Sequence, residues 1–262
     1  MSIPKALTIA GSDSGGGAGV QADLKTFSAY RVFGLSVITA VTAQNSLGVQ
    51  SIECLSPALV SSQLSSVLDD FGADAAKCGM LGTAAIVESV AAGLRARPVA
   101  RLVVDPVMAA TSGHALLEPD ALHALTVSLL PLALVVTPNL PEAEALAGMP
   151  VSSRTDMEEA ARRIHRLGPR HVLVKGGHLK GDAVDLLYNG REFTAFQAPR
   201  IESDNTHGTG CTFSAAITAG LAQGRPLAEA VRDAKAYVTR AIREGFALGR
   251  GAGALRHFLA EW

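Results

Sequence analysis

A chain of 262 residues that is 48% hydrophobic can bury on the order of three quarters of its unfolded surface in one core, which excludes a disordered, collagenous or coiled-coil chain. Lys and Arg number 23 against 24 Asp and Glu, a net charge of −1, so no global basic field draws it to nucleic acid or an anionic membrane. Three widely spaced cysteines, Cys54, Cys78 and Cys211, form neither a CxxC pair nor a Cys/His cluster and suit a reducing cytoplasm.

Residues 6–10 form the first apolar run and lead into Gly11-Ser-Asp-Ser-Gly-Gly-Gly-Ala-Gly19, followed by a helical segment from about Val20 to Tyr30. Four glycines between Gly15 and Gly19 let backbone approach a ligand closely. Gly17-x-Gly19-x-x-Ala22 also meets the loose dinucleotide pattern, but the acidic residue that would hold a ribose is missing from the stretch Ser36 to Ala43. A plain turn without ligand is the other alternative. Asp23, inside the helix, either faces a ligand or simply favours the positive helix end. The run 35–41 ends in Thr42-Ala-Gln-Asn-Ser46, where Gln44 offers a donor and an acceptor that suit an aminopyrimidine edge or satisfy loop backbone. Ser56 and Pro57 open a helix with Val60, Leu64, Val67, Leu68 and Phe71 on its buried stripe.

Apolar runs recur at 73–76, 101–104, 132–136 and 171–174, most followed by helical periodicity, so an α/β fold with a mainly parallel sheet is expected. The longest apolar run, Leu129 to Val136, is broken by Pro131 and too short to span a membrane. Asp105 ends Leu102-Val-Val-Asp-Pro, as a site residue or as a turn former. Asn139 and Glu142 follow Val135-Val-Thr-Pro with the spacing of a helix capping box, and Lys175 ends Val172-Leu-Val-Lys-Gly-Gly. Ligands of open α/β sheets bind beyond the carboxyl ends of the strands, and two carboxylates with a lysine are what a Mg²⁺-nucleotide needs.

Thr155 and Glu158 read as the capping box of a helix with Met157, Ala160, Ala161, Ile164 and Leu167 on one face, stopped by Gly168-Pro169. Two short strands around Asn189-Gly190, within 184–196, read as an edge hairpin. Asn205-Thr-His-Gly-Thr-Gly-Cys-Thr212 then opens the apolar helix Phe213 to Ala222. Gly208 and Gly210 at a helix start leave N–H groups that suit a transferring phosphoryl group, and the dipole is expected to depress the Cys211 thiol pKa. The alternative is a glycine-softened helix start with a buried cysteine. A P-loop is absent. The last helix carries Leu227, Val231, Ala234, Val238, Ala241 and Ile242. The seven histidines show no metal-binding spacing and read as surface or local hydrogen-bonding groups. With no repeat or linker, one domain over residues 1–262 is expected, and the start lacks the pattern of an export signal.

Taken together, residues 10–25, Thr42-Ala-Gln-Asn45, Lys77-Cys-Gly-Met80, Val104-Asp-Pro-Val-Met108, Thr137-Pro-Asn139, Lys175-Gly-Gly-His178 and Gly208-Thr-Gly-Cys211 closely resemble the bacterial hydroxymethylpyrimidine/phosphomethylpyrimidine kinases. The likeness runs from about residue 5 to 248. It implies a ribokinase-like fold, a central mainly parallel sheet with helices on both faces, in which ATP phosphorylates 4-amino-5-hydroxymethyl-2-methylpyrimidine and then its monophosphate to the diphosphate. It places the pyrimidine against Gly11, Asp23, Gln44, Met80 and Val107, with Cys211, Lys175, Gly208 and Gly210 as the catalytic set. Cys211 stands where sugar kinases of the wider superfamily carry Asp, and is either a proton acceptor or part of the anion hole. The same likeness puts Lys175, Thr206 and Gly208 by ATP and gives Asp105 and Glu142 the task of organising Mg²⁺ through water. It further implies a stand-alone cytoplasmic enzyme acting as a homodimer, with no nucleic-acid or membrane partner. A pyridoxal kinase is the rival of the same fold, against which Thr42-Ala-Gln44 favours the aminopyrimidine. A dinucleotide oxidoreductase lacks its acidic residue, and a non-catalytic pyrimidine binder would have no need of Lys175 with Cys211.

Overall fold

Each apolar run becomes a strand because every second side chain finds a different covered face. In the computed structural model, which describes residues 3–110, 113–177 and 183–259, Val103 belongs to the core on one side of the sheet and Val104 to the core on the other. Strands buried on both faces read as continuous hydrophobic runs rather than alternating ones. The strands are β1 (Lys5–Asp13), β2 (Phe33–Asn45), β3 (Gly48–Cys54), β4 (Ala75–Cys78), β5 (Leu102–Val104), β6 (Val135–Val136), β7 (His171–Val174), β8 (Ala183–Tyr188) and β9 (Phe193–Ala198). They form one nine-stranded sheet in the order β3-β2-β1-β4-β5-β6-β7-β8-β9. The six central strands pair in parallel, and antiparallel partners close both edges.

The helices are α1 (Gly19–Ala29), α2 (Pro57–Asp70), α3 (Ala84–Ala96), α4 (Pro119–Ala124), α5 (Leu140–Ala147), α6 (Arg154–His165), α7 (Thr209–Ala222) and α8 (Leu227–Arg243). Helices α2 to α6 cover one face, around Leu7, Ile9, Val104 and Val136. The opposite face, built on Ala6, Ala75, Val103, Val135 and Leu173, is covered by α1, α7 and α8. Helix α7 accordingly is buried from Thr212 to Ala222.

Local chemistry sets several boundaries away from the expectations. Ser56 caps α2 as expected, its side chain accepting from Leu59 N, but Phe71 lies beyond the helix, 49% exposed and stacked on Phe33 at 6.4 Å. Helix α6 starts two residues earlier than the Thr155/Glu158 box, because Ser153 accepts from Asp156 N and leaves Thr155 inside the helix. The run 132–136 yields only β6, since residues 130–132 around Pro131 tighten into a 3₁₀ turn. The hairpin at Asn189-Gly190 forms at the sheet edge. Its counterpart at the other edge, β3, is mostly exposed along its length and gives no apolar run to read.

Candidate active site

The carboxyl ends of the parallel strands and the loops beyond them enclose a cavity of about 680 Å³, at the place where open α/β sheets bind ligands. Strand β1 delivers the first glycine loop to one wall. There Asp13 gathers the loop around its carboxylate, which accepts from Gly15 N at 2.8 Å, Gly17 N at 3.1 Å and Ala18 N at 2.8 Å. Gly19 has φ +56°, and a Cβ on it would lie 2.4 Å from the Gly11 carbonyl oxygen, so backbone packing as well as conformation demands glycine there.

The second glycine loop faces the first. Gly208, with φ +80°, is the N-cap of α7, and a Cβ on it would lie 1.8 Å from the Gly17 carbonyl oxygen. The positive end of α7 thus opens into the cavity, where unpaired amides favour an anion. A Cβ on Gly210 would sit 3.4 Å from Lys175 Nζ and 3.9 Å from Asp105 Oδ2. This short spacing puts the helix start, the lysine and the carboxylate in one place.

Lys175 Nζ donates to Asp105 Oδ1 at 2.8 Å and lies 3.8 Å from Glu142 Oε2. Asp105 also accepts from Thr137 Oγ1 at 3.0 Å and Ser214 Oγ at 3.1 Å. Burial opposes its ionised form, but the charges of Lys175 and Lys77 and these hydrogen bonds hold its carboxyl below the ordinary range. Asp105 is therefore more than a turn former. Glu142 completes a true capping box with Asn139, Oε2 accepting from Asn139 N at 2.7 Å, and lines the cavity as well. Burial pushes its pKa up to about 7 even though Lys175 pulls the other way.

Gly11, Met80 and Val107 line the cavity with Gln44, whose Oε1 accepts from Thr42 Oγ1 at 3.2 Å. Thr206 lines it too, its carbonyl accepting from Thr209 Oγ1 at 2.7 Å. Asp23 departs from expectation. It is fully buried behind the wall, paired with Lys77 at 2.8 Å and accepting from Thr8 Oγ1 at 2.6 Å, and Lys77, itself without exposed surface, stands between it and the cavity. The expected depression of the Cys211 thiol is also overturned: burial pushes it up to about 11, against the pull of Lys77. Desolvation outweighs the helix end because the thiol leaves water to reach it.

Four groups at the cavity went unremarked in the sequence. Asp13 and His207 form a pair at 3.0 Å across the two glycine loops, and Asp185 and Lys235 pair at 2.6 Å next to Lys175, where Asp185 accepts from Gly176 N. A charged residue inside an apolar run, as in Ala183-Val-Asp-Leu-Leu-Tyr188, was the available signal for Asp185. His178, part of the Lys175-Gly-Gly-His178 motif, lies outside the described residues. No helix among the described residues is long and apolar enough to cross a membrane.

A family model described as phosphomethylpyrimidine kinase matches residues 13–256, which takes in the first glycine loop from Asp13 onward, the second glycine loop and all three strand-end groups. The chain belongs to the phosphomethylpyrimidine kinase family. It is 54% identical over 261 residues to the hydroxymethylpyrimidine/phosphomethylpyrimidine kinase of Rhizobium meliloti, covering 98% of each chain. It is 53% identical over 255 residues to the thiamine biosynthesis bifunctional protein ThiED of Geobacter sulfurreducens, covering 97% of this chain and 52% of that protein. Among solved structures, the ADP complex of Bacillus subtilis pyridoxal kinase superposes with a TM-score of 0.91 at 42% identity, over 98% of each chain. A phosphomethylpyrimidine kinase from Clostridium difficile superposes at 0.82 with 45% identity, over 92% of this chain and 100% of that one. The fold of this family is ribokinase-like, and pyridoxal kinases share it, so architecture alone does not choose between the two rings.

Proposed function

We propose that the chain transfers the γ-phosphoryl group of ATP to the hydroxymethyl oxygen of 4-amino-5-hydroxymethyl-2-methylpyrimidine, and then phosphorylates the resulting monophosphate to the diphosphate. The observation that carries this is the meeting of Lys175, Asp105 and the start of α7 at Gly210, in the same cavity as Gln44, Met80 and Val107. One end has the cation and amides that a transferring phosphoryl group requires. The other pairs a carboxamide with apolar walls, which suits a flat ring with a hydrogen-bonding edge.

In this reading the ring lies against Gly11, Gln44, Met80 and Val107, and Lys175, Thr206 and Gly208 contact ATP. Asp23 acts from behind the wall by holding Lys77. The acceptor oxygen forms a bond to the γ-phosphorus as the bond to the ADP oxygen breaks, and the acceptor's proton passes to solvent water. The raised thiol pKa favours Cys211 as part of the anion hole, with the Gly208 and Gly210 backbone, over Cys211 as proton acceptor. Asp105 and Glu142 fit a Mg²⁺ ion that keeps most of its water. They are two carboxylates at the phosphate end, and no cluster of three or more His, Cys, Asp or Glu suited to a metal occurs among the described residues, whereas Mg²⁺ is commonly held by one or two carboxylates with phosphate oxygens. When bound, the ion offsets phosphate charge. The reading includes a cytoplasmic setting and a homodimer, as the family resemblance implies.

A coupled ADP-release assay with the hydroxymethylpyrimidine, its monophosphate, pyridoxal and no acceptor tests the proposal. Release driven by the two pyrimidines well above that with pyridoxal is the expected result. Preference for pyridoxal, the substrate of the structural neighbours from Bacillus subtilis and Staphylococcus aureus named as pyridoxal kinases, would replace it with the rival reading.

A further inference from the structure

His207 and Asp13 join the two glycine loops where neither loop holds the other by regular secondary structure. Asp13 is 3% exposed, and its carboxylate already collects three amides from its own loop. The remaining direction is filled by His207 Nε2 at 3.0 Å. A carboxylate only accepts, so this ring nitrogen carries the proton and donates. Nε2 therefore has no lone pair for the Gln44 amide, which stands 3.5 Å away and keeps its N–H groups for another acceptor.

The contact is tight on both sides. A Cβ on Gly17 would lie 2.4 Å from the His207 ring, and one on Gly208 would lie 1.8 Å from the Gly17 carbonyl oxygen. Behind the ring, His207 N donates to the Gly253 carbonyl at 3.1 Å, and Gly253 N donates to the Asp204 carbonyl at 3.1 Å. The same segment reaches Ser46, two residues beyond Gln44, through Arg250 N and Gly251 N at 3.0 and 3.2 Å. The first glycine loop is thus tied to the second through His207, and the loop that carries Gln44 is tied through Ser46 to the segment that backs His207.

From this geometry, and resting on the kinase reading above, we infer that Asp13 and His207 are positioning residues that lock the first glycine loop to the start of α7 and so fix Gly208 and Gly210 relative to the acceptor hydroxyl. Neither residue exchanges a proton with substrate. Their effect falls on alignment, and misplacement of about 1 Å in such a site costs on the order of a hundredfold in rate.

The test uses the full chain with His207→Ala, His207→Gln, Asp13→Asn and the Asp13→Asn/His207→Ala double variant. Steady-state kinetics with the hydroxymethylpyrimidine and Mg·ATP are combined with amide hydrogen exchange over residues 205–211. His207→Ala should lower kcat on the order of 10- to 100-fold with the KM for the pyrimidine little changed, and should speed exchange at 205–211. His207→Gln, which returns an N–H toward Asp13, should recover most of the turnover. The double variant should be little worse than either single one, because both remove the same link. Parent-like kcat in His207→Ala, a loss confined to the pyrimidine KM, or a glutamine variant as impaired as alanine would overturn the inference. If the parent phosphorylates no pyrimidine, the functional reading falls, and the lock is then judged on exchange: unchanged rates at 205–211 in His207→Ala overturn it, and faster rates uphold it.

Discussion

Two lysine–aspartate pairs close at 2.8 Å at this end of the sheet, Lys77 with Asp23 and Lys175 with Asp105. The first is wholly sealed, with both side chains at 0% exposure, whereas Lys175 keeps 14% of its side chain open to the cavity. In the sealed pair, Asp23 is also held by Thr8, and its charge keeps the Lys77 ammonium above the ordinary range although burial opposes it. In the open pair a third group, Glu142, shares the lysine at 3.8 Å. Similar pairs thus serve different ends: the sealed one fixes the wall between α1 and β4, and the open one presents a cation to whatever enters.

The sharpest way to break this contrast is to remove each lysine. Lys77→Met leaves the Asp23 carboxylate buried without its partner and should cost about 3–5 kcal/mol of stability, while the Lys77→Met/Asp23→Leu double variant should recover most of it. Denaturant titration checks both; a single variant as stable as the parent would remove the distinction. Lys175→Met takes the nearest cation from the buried Asp105 and should also cost stability, though less than Lys77→Met because Thr137, Ser214 and the charge of Lys77 still hold that carboxylate, and it should lower kcat on the order of 10²- to 10³-fold, as for loss of a group that stabilises charge in a transition state. A loss seen only in KM would contradict that role.

The third prediction separates the pairs by pH. Glu142 has a folded pKa of about 7 against 4.5 for the free side chain. A raised carboxyl contributes stability that is full below pH 4.5 and is lost as pH rises through 7, by roughly 3 kcal/mol in all. Glu142→Gln keeps an acceptor for Asn139 N and should flatten that loss, as read from chemical denaturation between pH 4.5 and 8. An unchanged pH slope would mean that the open pair does not feel Glu142. The smallest effect is expected at Cys211. With its thiol up at about 11, alkylation at pH 7 should fall first on the exposed Cys54, and Cys211→Ala should cost about tenfold or less in kcat. A loss of 10²-fold or more would restore the base role.

How much of this was legible follows from distance along the chain. Lys175, Asp105 and Glu142 announce themselves because each polar residue ends or follows an apolar strand, and both glycine loops stand beside helices. The sealed pair does not, since Lys77 and Asp23 are 54 residues apart and their meeting depends on β1 and β4 being neighbours. Asp23 therefore reads as a ligand residue when it is in fact a buried counter-ion. Cys211 misleads for a related reason: position in a helix predicts the dipole, but only packing reveals the desolvation that outweighs it. At α6 both Ser153 and Thr155 are competent caps, and the sequence alone leaves the choice undetermined. His207 is hidden because its partner belongs to the other glycine loop.

The strand order has a consequence for synthesis. From β1 onward, every strand pairs with one that is already complete, so a nascent chain can extend the sheet as it leaves the ribosome. One apolar face, however, waits for α7 and α8 to cover it beside α1. Until residues 209–243 emerge, that face stays exposed as an apolar surface prone to association, and Gly210 and Cys211, which line the cavity, do not yet exist. The segment that closes this face thus also supplies Thr209, Gly210 and Cys211 to the cavity wall, so core closure and completion of the cavity belong to one late stage of synthesis.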